Sequence, residues 1–170
     1  MNASAVSHSR RALLKGRLHK SVPLRPPWSC PEERFVSLCS RCSDCVEACP
    51  EGILSKGEGG FPTIHFEKGE CTFCSVCVEA CATGALNRHE TKPWFVKAQV
   101  YSDSCLSANK ISCFSCADEC APRAIRFQLK SQGVLSPEVD LDSCNGCGAC
   151  YKACPVSAIH ITADGETCHA

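Results

Sequence analysis

The spacing of the cysteines constrains this chain more than any other feature of its sequence. Sixteen of the 18 cysteines fall into four groups with the form C-x2-C-x2-C-x3-C, except that the third group opens with a seven-residue gap. These groups, called tetrads 1 to 4 below, are Cys39, Cys42, Cys45 and Cys49; Cys71, Cys74, Cys77 and Cys81; Cys105, Cys113, Cys116 and Cys120; and Cys144, Cys147, Cys150 and Cys154. Their regular recurrence indicates an internal repeat.

Each tetrad has the ligand pattern of bacterial [4Fe–4S] clusters. Three thiolates separated by two residues fit a tight loop around three corners of an iron–sulfur cubane. The fourth thiolate lies on a short helix that points away, so it can reach a second cluster. Pro50 and Pro155 follow the fourth cysteine of tetrads 1 and 4 and end that helix, whereas tetrad 2 has Ala82 there, which removes a constraint but no ligand. The pattern therefore predicts four [4Fe–4S] clusters.

Zinc and disulfides are the alternative uses of these cysteines. A structural zinc site usually takes two separated C-x2-C pairs, so a third thiol at the same spacing would be unused. Cysteines three residues apart in one loop seldom bridge each other, and disulfides persist mainly in oxidising compartments. Two cysteines lie outside the tetrads: Cys30, either a reactive thiol or an inert spare one, and Cys168 near the end of the chain.

The segments between the tetrads alternate turn and strand patterns, which predicts an α+β fold. Strands are expected at 61–66, 94–101, 124–129, 134–139 and 158–161, with the third and fourth of these paired. Short helices are expected at 43–48, 75–80, 116–120 and 148–153. The core or docking candidates are Trp28, Trp94 and Phe95, and the aromatic residues expected to shield clusters from water are Phe35, Phe73 and Phe114.

The repeat predicts two tandem ferredoxin-like units of the bacterial 2[4Fe–4S] type, small and held together by their clusters. Tetrads 1 and 2 form the unit at 31–92, and tetrads 3 and 4 form the unit at 98–165. An irregular basic arm at 1–30 precedes the units, and a tail at 166–170 follows them.

Within each unit, the fourth cysteine of each tetrad is expected to cross to the cluster of the other tetrad. The predicted ligand sets are site 1, with Cys39, Cys42, Cys45 and Cys81; site 2, with Cys71, Cys74, Cys77 and Cys49; site 3, with Cys105, Cys113, Cys116 and Cys154; and site 4, with Cys144, Cys147, Cys150 and Cys120. Ligation by each consecutive tetrad alone is the other assignment.

The arm begins with a sequence that is similar to a twin-arginine export signal, SRRALLK at residues 9–15. An export signal needs an apolar stretch of roughly 7–15 residues, but Arg17, Lys20 and three prolines interrupt the region that follows. We therefore interpret the arginine pair as non-functional in export; a receptor-read address and a short surface helix remain the alternatives. Since no apolar run is long enough to cross a membrane, we expect a cytoplasmic protein that is not integral to a membrane.

Charge is unevenly distributed along the chain. Residues 1–30 carry six Lys or Arg and no acidic residue, while the remainder holds twelve Lys or Arg and eighteen Asp or Glu. Each [4Fe–4S] cluster with four thiolates adds a charge of about −2 to the body. We expect the arm to fold against this acidic body or to bind an acidic partner, unless it is a solvated tail.

Four features carry a resemblance that goes beyond the cysteine repeat. They are SRRALLKG at 9–16, LRPPW at 24–28, the seven-residue gap of tetrad 3, and CNGCGAC with CPVSAI between Cys144 and Ile159. Together they resemble the NapF family, the ferredoxin-type accessory proteins of the periplasmic nitrate reductase system. The resemblance covers essentially the whole chain. It implies a cytoplasmic protein with four [4Fe–4S] clusters that contacts the precursor of the nitrate reductase catalytic subunit before export.

Two functions remain open at this stage. The first is a maturation factor that binds the precursor and supplies electrons or cluster components; the second is an electron-transfer polyferredoxin of a respiratory chain. The tetrads serve both equally, and the lack of membrane and export signals favours the first. The sequence has no Gly-rich nucleotide loop and no catalytic arrangement apart from the tetrads, so we expect neither an enzyme nor a nucleic-acid partner.

The metal-free chain is expected to be loose or unfolded. Units of this size cannot bury a large core, and thiolate ligation couples cluster binding to folding. Circular dichroism before and after anaerobic cluster reconstitution should therefore show a gain of ordered structure. An unchanged spectrum, together with a cooperative thermal transition of the metal-free chain, would contradict this expectation.

Overall fold

The computed structural model describes residues 23–88 and 93–163, which have the α+β architecture expected from the sequence. The expectations for residues 1–22, which include the twin-arginine sequence, and for 164–170, which include Cys168, lie outside the described residues. Within the described ranges, every helix is too short or too polar to span a lipid bilayer.

Short helices and strands alternate along the described chain. The helices are α1 Glu32–Leu38, α2 Asp44–Glu47, α3 Val76–Glu79, α4 Ser115–Asp118 and α5 Ala149–Ala153. The strands are β1 Leu54–Lys56, β2 Pro62–Ile64, β3 Val96–Val100, β4 Ile125–Leu129, β5 Leu135–Val139 and β6 Ile159–Ala163. Single 3-10 turns lie at Glu58–Gly60, Ser107–Asn109 and Ser131–Gly133. All the expected helices and strands are present, with bounds that differ from the expected ones by only a few residues.

Both units are built on antiparallel pairs nested one inside the other. In the second unit, β4 and β5 form a hairpin with Ile125 opposite Val139, which confirms the expected pairing. The first and last strands of this unit, β3 and β6, pair antiparallel outside the hairpin. In the first unit, β1 and β2 form the hairpin, and the outer pair is reduced to one bridge between Ser29 and Leu86. The chain of each unit therefore reverses between its two tetrads and brings the second back to the first.

The core of the molecule is made largely of small side chains and cysteines. Phe35, Ile159 and Pro26 are the largest fully buried side chains. One continuous core runs through both units and includes the tetrad cysteines Cys45, Cys77, Cys116, Cys144 and Cys150. Because apolar burial stabilises a fold by roughly 25 cal/mol per Å², a core of small side chains contributes less than one of large aliphatic and aromatic residues. This composition agrees with a fold that depends on its clusters.

Helix α1 was missed in the sequence analysis. Pro31 precedes its first turn, where the carboxylates of Glu32 and Glu33 lie at the positive end of the helix. The helix buries one side chain, Phe35. A seven-residue helix with a single buried residue has no apolar periodicity, so only these weak start signals pointed to it.

The side chain of Arg25 links the segment before α1 to the first unit through hydrogen bonds and ring contacts. Its guanidinium donates two hydrogen bonds to the carboxylate of Glu32, at 2.9 and 2.6 Å, and another to the carbonyl oxygen of Pro62 at 3.1 Å. The guanidinium carbon also lies 5.0 Å from the ring centroid of Phe35 and 5.3 Å from that of Phe61. Bidentate ion pairing and cation–π contact thus converge on one side chain.

Residues 24–30 contact the first unit, although the expected boundary places them in the basic arm. The amide of Ile64 donates to the carbonyl oxygen of Leu24 at 3.0 Å, and the amide of Cys30 donates to that of Ala85 at 3.0 Å. The boundary at residue 31 stays a prediction. These contacts nevertheless tie the end of the arm to the unit.

The aromatic candidates of the sequence analysis differ in burial. Trp28 is buried and Trp94 is half-buried, but Phe95 is 40% exposed and is therefore not a core residue. Alternation along the strand is the reason, because Val96 and Ala98 are buried and Phe95 falls on the opposite face. Among the aromatic residues expected to shield clusters, Phe35 is fully buried, Phe73 half-buried and Phe114 41% exposed.

Replacing Arg25 with alanine should destabilise the first unit. We expect Arg25→Ala to lower the free energy of unfolding by roughly 1–3 kcal/mol, because it leaves Glu32 unpaired and removes a charged hydrogen-bond donor. Arg34→Ala, at an exposed arginine of α1, is the matched control and should change stability by less than about 0.5 kcal/mol. Denaturant unfolding of the cluster-loaded protein measures both; equal effects would show that the Arg25 contacts contribute little.

Candidate iron–sulfur sites

Two pockets of the structure are lined by the crossed ligand sets of site 2 and site 4. The pocket in the first unit is lined by all four cysteines of site 2 and by Pro27, Trp28 and Phe73. The pocket in the second unit is lined by all four cysteines of site 4, with Gly146 and Gly148 beside them. In each pocket, three cysteines come from one tetrad and the fourth comes from the other tetrad of the same unit. At these two places the structure brings the crossed sets together.

The thiols of site 1 gather around Cys45. Burial raises the pKa of Cys45 to about 11, and the other three thiols of site 1, with that of Cys77, add to the shift. The crossed fourth cysteine, Cys81, is among these neighbours. Cys42 is exposed, so site 1 is open to solvent at this thiol.

At site 3 the structure brings at least three of the four predicted thiols together. Burial raises the pKa of Cys116 to about 11, and the neighbouring thiols of Cys105 and Cys113 add to the shift. Cys154, the expected fourth ligand, accepts a hydrogen bond from the amide of Ala158 at 3.1 Å. Its membership of site 3 remains a prediction.

Burial also raises the pKa of thiols at the other two sites, which favours their neutral form. Burial raises the pKa of Cys71 and of Cys150 to about 12, and that of Cys77 to about 11. The other three thiols of the same site add to the shift at Cys71 and Cys150, and the thiols of Cys49 and Cys74 add to the shift at Cys77. A group of thiols that cannot ionise together needs positive charge among them, and iron ions supply it when they replace the protons.

Left-handed backbone conformations flank the second cysteine in tetrads 1, 2 and 4. The residues are Arg41 and Ser43, Phe73 and Ser75, and Gly146 and Gly148, with φ between +55° and +88°. Turns of this kind point successive amide groups into one concavity, which suits anions and many iron–sulfur sites. A left-handed conformation costs a non-glycine residue roughly 1–2 kcal/mol, so tetrads 1 and 2 are strained where they surround their sites. Tetrad 3 differs, because Phe114 after its second cysteine has a φ of −131°.

Backbone amides donate to the fourth cysteine of three tetrads. The contacts run from Leu86 to Cys81 Sγ at 3.4 Å, from Ala124 to Cys120 Sγ at 3.2 Å, and from Ala158 to Cys154 Sγ at 3.1 Å. Burial acts to raise the pKa of Cys81, but hydrogen bonds from Leu86 and Thr83 outweigh it, and the pKa is lowered. Hydrogen bonds to ligand sulfurs help to set the reduction potential of an iron–sulfur cluster.

The donor groups at these sites fit a [4Fe–4S] cluster. Every cysteine in the described part of the chain is a free thiol. At sites 2 and 4 the thiols line a pocket. Among the described residues, no three His, Cys, Asp or Glu side chains are grouped as ligands of a single ion. The hydroxyl of Ser43, directly after Cys42, is buried without a hydrogen-bond partner in residues 23–88 and 93–163. A cluster at site 1 would bring sulfur acceptors to this part of the loop.

The two units meet where tetrad 2 faces tetrad 4. A Cβ at Gly148 would lie 2.1 Å from Cδ1 of Phe66, and a Cβ at Gly146 would lie 2.4 Å from the carbonyl oxygen of Val96. Both distances are far below van der Waals contact. Glycine is therefore required at these two places both by the positive φ and by the close approach of Phe66 and Val96.

Sequence reasoning missed the cover of site 2 and left Cys30 undecided. Pro27 and Trp28 line the site 2 pocket; the sequence analysis named Trp28 as a core or docking candidate but did not connect it with a cluster site. The Sγ of Cys30 accepts a hydrogen bond from Nδ2 of Asn87 at 3.1 Å and lies 3.6 Å from the carbonyl oxygen of Gly84. Cys30 is thus a buried thiol with internal contacts, which agrees with the inert alternative.

Adding a methyl group at Gly148 should damage site 4 selectively. Gly148→Ala brings a Cβ against the Phe66 ring, whereas Gly84→Ala, at a similar φ of +70°, has no atom within 4 Å of its Cβ. We expect Gly148→Ala to lose iron several-fold faster under a chelator than the wild type, and Gly84→Ala to lose only about 1–2 kcal/mol of stability to backbone strain. Iron content per chain over time is the measurement; indistinguishable iron loss in the two variants would contradict the role of the Phe66 contact.

Comparison with known proteins places this geometry in a family. The family model for the 4Fe-4S dicluster domain matches residues 38–85 and 111–158, one match in each unit. The ferredoxin-type protein NapF of Escherichia coli K12 is 41% identical over 155 residues, which cover 91% of this chain and 94% of that protein. NapF of Haemophilus influenzae is 49% identical over 138 residues, covering 81% and 78% of the two chains.

A more distant relative is named for a different role. The methylamine utilization ferredoxin-type protein MauM of Methylorubrum extorquens is 35% identical over 148 residues, which cover 77% of this chain and 67% of that protein. The expected fold of two tandem ferredoxin-like units is confirmed by the two domain matches. The chain is an iron–sulfur protein with two 4Fe-4S dicluster domains, and it belongs to the family of NapF ferredoxin-type proteins.

Proposed function

We propose that this protein is a cytoplasmic maturation factor with four [4Fe–4S] clusters. It binds the precursor of the periplasmic nitrate reductase catalytic subunit before export and supplies that precursor with electrons or cluster components. The observation that carries the proposal is the similarity to NapF over 91% of the chain. The two dicluster domains match residues 38–85 and 111–158. The similarity to NapF extends beyond these residues, so it is not a likeness of cysteine spacing alone.

The sixteen tetrad cysteines would hold the clusters in the crossed sets of sites 1 to 4. When bound, a [4Fe–4S] cluster supplies a one-electron redox centre. Trp28 and Pro27 cover site 2, and the amides of Ala124 and Ala158 donate to ligand sulfurs. These are the tasks of an accessory or electron-transfer protein, and we propose no enzymatic reaction for it.

Sites 1 and 2 are the candidates for exchange with the precursor. Their second cysteines, Cys42 and Cys74, are exposed, whereas the corresponding Cys113 and Cys147 are partly covered. A partner that receives an electron or a cluster component has to approach the sulfur ligands closely. The first unit offers this approach at two places.

The basic arm is the proposed recognition element for the precursor. Residues 1–22 carry Arg10, Arg11, Lys15, Arg17 and Lys20 and no acidic residue. Arg25 is excluded from this role, because its side chain is 12% exposed and pairs with Glu32. A positively charged segment next to an acidic, cluster-bearing body steers association with an acidic surface of the partner.

An electron-transfer polyferredoxin of a respiratory chain is the second candidate. Its specific support is the packing of tetrad 2 against tetrad 4, since the amide of Cys71 donates to the carbonyl oxygen of Cys147 at 2.8 Å. This contact connects ligand residues of the two units. A carrier would exchange electrons with a redox partner without forming a lasting complex with the immature reductase.

Co-purification with the immature reductase subunit tests the proposed function. We expect the anaerobically purified protein to contain about sixteen iron and sixteen acid-labile sulfide atoms per chain, as four clusters require, and to bring down the tagged precursor. Deletion of residues 1–22 should weaken the recovery of precursor about tenfold or more while leaving the iron content unchanged. This deletion keeps Arg25 and Trp28, so the contacts of the first unit remain.

Deletion of residues 164–170 is the control for loss of a terminal segment and should leave co-purification intact. A full-length, fully loaded protein that does not bring down the precursor would overturn the maturation role and favour the electron carrier. Full recovery of the precursor by the protein lacking residues 1–22 would overturn the recognition role of the arm alone. Stoichiometric zinc in place of iron would overturn both functions.

A further inference from the structure

We propose that the contact between Cys71 and Cys147 is the electronic junction of the two units and connects the four sites in the order 1, 2, 4, 3. The inference deepens the proposed function and rests on its crossed ligand sets. It concerns the place where tetrad 2 of the first unit packs against tetrad 4 of the second, called the seam below.

The seam joins two ligand residues directly. The backbone amide of Cys71 donates to the backbone carbonyl oxygen of Cys147 at 2.8 Å. Cys71 belongs to site 2 and Cys147 to site 4, and each lines the pocket of its own site. The path from one Sγ to the other therefore consists of covalent bonds and one short hydrogen bond, with no gap through solvent.

Three aromatic rings lie beside the two loops that this hydrogen bond joins. The indole Nε1 of Trp94 donates to the carbonyl oxygen of Asn145 at 2.8 Å, within the loop of tetrad 4. The same indole lies edge-on to Phe73 at 5.7 Å and to Phe66 at 6.2 Å between ring centroids, and both rings belong to the first unit. Trp94 is therefore anchored to both sides of the seam.

Glycine allows the first unit to approach the loop of tetrad 4 this closely. Phe66 of the first unit fills the space beside Gly148, and Val96 in strand β3 of the second unit fills the space beside Gly146. These two glycines flank Cys147, so the carbonyl that accepts the hydrogen bond is held between them. The equivalent positions of tetrad 1 are Arg41 and Ser43, whose side chains could not occupy such a contact.

Within each unit, the short helices connect the remaining sites. The chain from Cys45 through α2 to Cys49 carries a ligand of site 1 at one end and a ligand of site 2 at the other. The chain from Cys116 through α4 to Cys120 does the same for sites 3 and 4. With the seam added, each site has a bonded connection to the next, and sites 1 and 3 are the two ends.

With [4Fe–4S] clusters bound at sites 2 and 4, the junction would carry one electron at a time between the two sites that it joins. One site would be oxidised by one electron and the other reduced by one, with no bond formed or broken and no proton moved. The reductant and the oxidant would both be iron–sulfur centres of this chain. An electron that enters at site 1 could therefore leave at site 3, or the reverse, so the two units would form one electron-transfer path.

Electron paramagnetic resonance of the fully reduced protein tests the order of the sites. The variant Cys45→Ser with Cys116→Ser removes a buried third ligand from sites 1 and 3 and retains sites 2 and 4. The variant Cys77→Ser with Cys116→Ser removes the same kind of ligand from sites 2 and 3 and retains sites 1 and 4. Each variant keeps one cluster per unit, so iron loss is matched.

We expect magnetic interaction between the two remaining spins only in the variant that retains sites 2 and 4. Its spectrum should be split or broadened, and the spectrum of the other variant should be the sum of two simple signals. Two results would overturn the inference. One is the absence of coupling in the variant that retains sites 2 and 4, provided that it contains about eight iron atoms per chain. The other is equal coupling in both variants. The figure of about eight follows from two clusters of four iron atoms.

A second pair of variants decides the question if the cysteine variants do not load. Trp94→Leu removes the anchor of the seam, and Phe95→Leu changes the adjacent, 40% exposed aromatic residue. With four clusters present, Trp94→Leu should lose the inter-unit part of the magnetic interaction, and Phe95→Leu should retain it. Loss of thermal stability in Trp94→Leu with an unchanged spectrum would show that Trp94 is only structural and would overturn the junction.

The same preparations separate this inference from the proposed function. Uncoupled sites in a protein that still brings down the precursor would overturn the junction and leave the maturation role intact. Coupled sites in a protein that does not bind the precursor would overturn the maturation role and leave the junction intact.

Discussion

The reversal of the chain inside each unit is the constraint on which the rest of the structure depends. A hairpin after the first tetrad, β1–β2 or β4–β5, sends the second tetrad back antiparallel to the first. This reversal, more than the spacing within a tetrad, is what brings Cys81 beside Cys45 and places Cys49 in the same pocket as Cys71. Without this reversal, the four consecutive thiols of one tetrad would have to bind one cluster, although the short helix directs the fourth thiol away from the other three. The small core, the strained turns and the amide contacts to sulfur all lie around the thiols that this reversal brings together.

Different interactions join the two ends of each unit. The second unit closes on itself through the five-residue pairing of β3 with β6, whereas the first has only the bridge between Ser29 and Leu86. In place of the missing sheet, the first unit uses the segment around Arg25, which joins α1 to the hairpin through charge, hydrogen bonds and ring contacts. Extended backbone pairing and the contacts of one partly buried guanidinium are thus alternative ways to close a unit of this size.

Much of the fold and of the sites could be predicted from the sequence, because ligand spacing is a local property. The helices between the third and fourth cysteines, the pairing of β4 with β5 and the two-unit division all follow from patterns a few residues long. Helix α1 could not be predicted in this way, since it buries only Phe35. The role of Arg25 depends on Pro62 and Phe61, which are far away in the sequence, and the burial of Trp28 depends on the pocket of site 2. The contact of Cys71 with Cys147 has no sequence signal at all, because it arises from the packing of one unit on the other.

The close packing of Phe66 on Gly148 has a consequence for the history of an internally duplicated chain. Ser43, Ser75 and Gly148 occupy the same place in three of the repeats, directly after the second cysteine, and all three adopt the left-handed conformation. Serine is compatible with that backbone at two of these places, but at position 148 its Cβ would collide with the Phe66 ring. The repeats have therefore ceased to be interchangeable: a copy of the first loop transplanted into the fourth would carry the right ligands into a space that its neighbour has already filled.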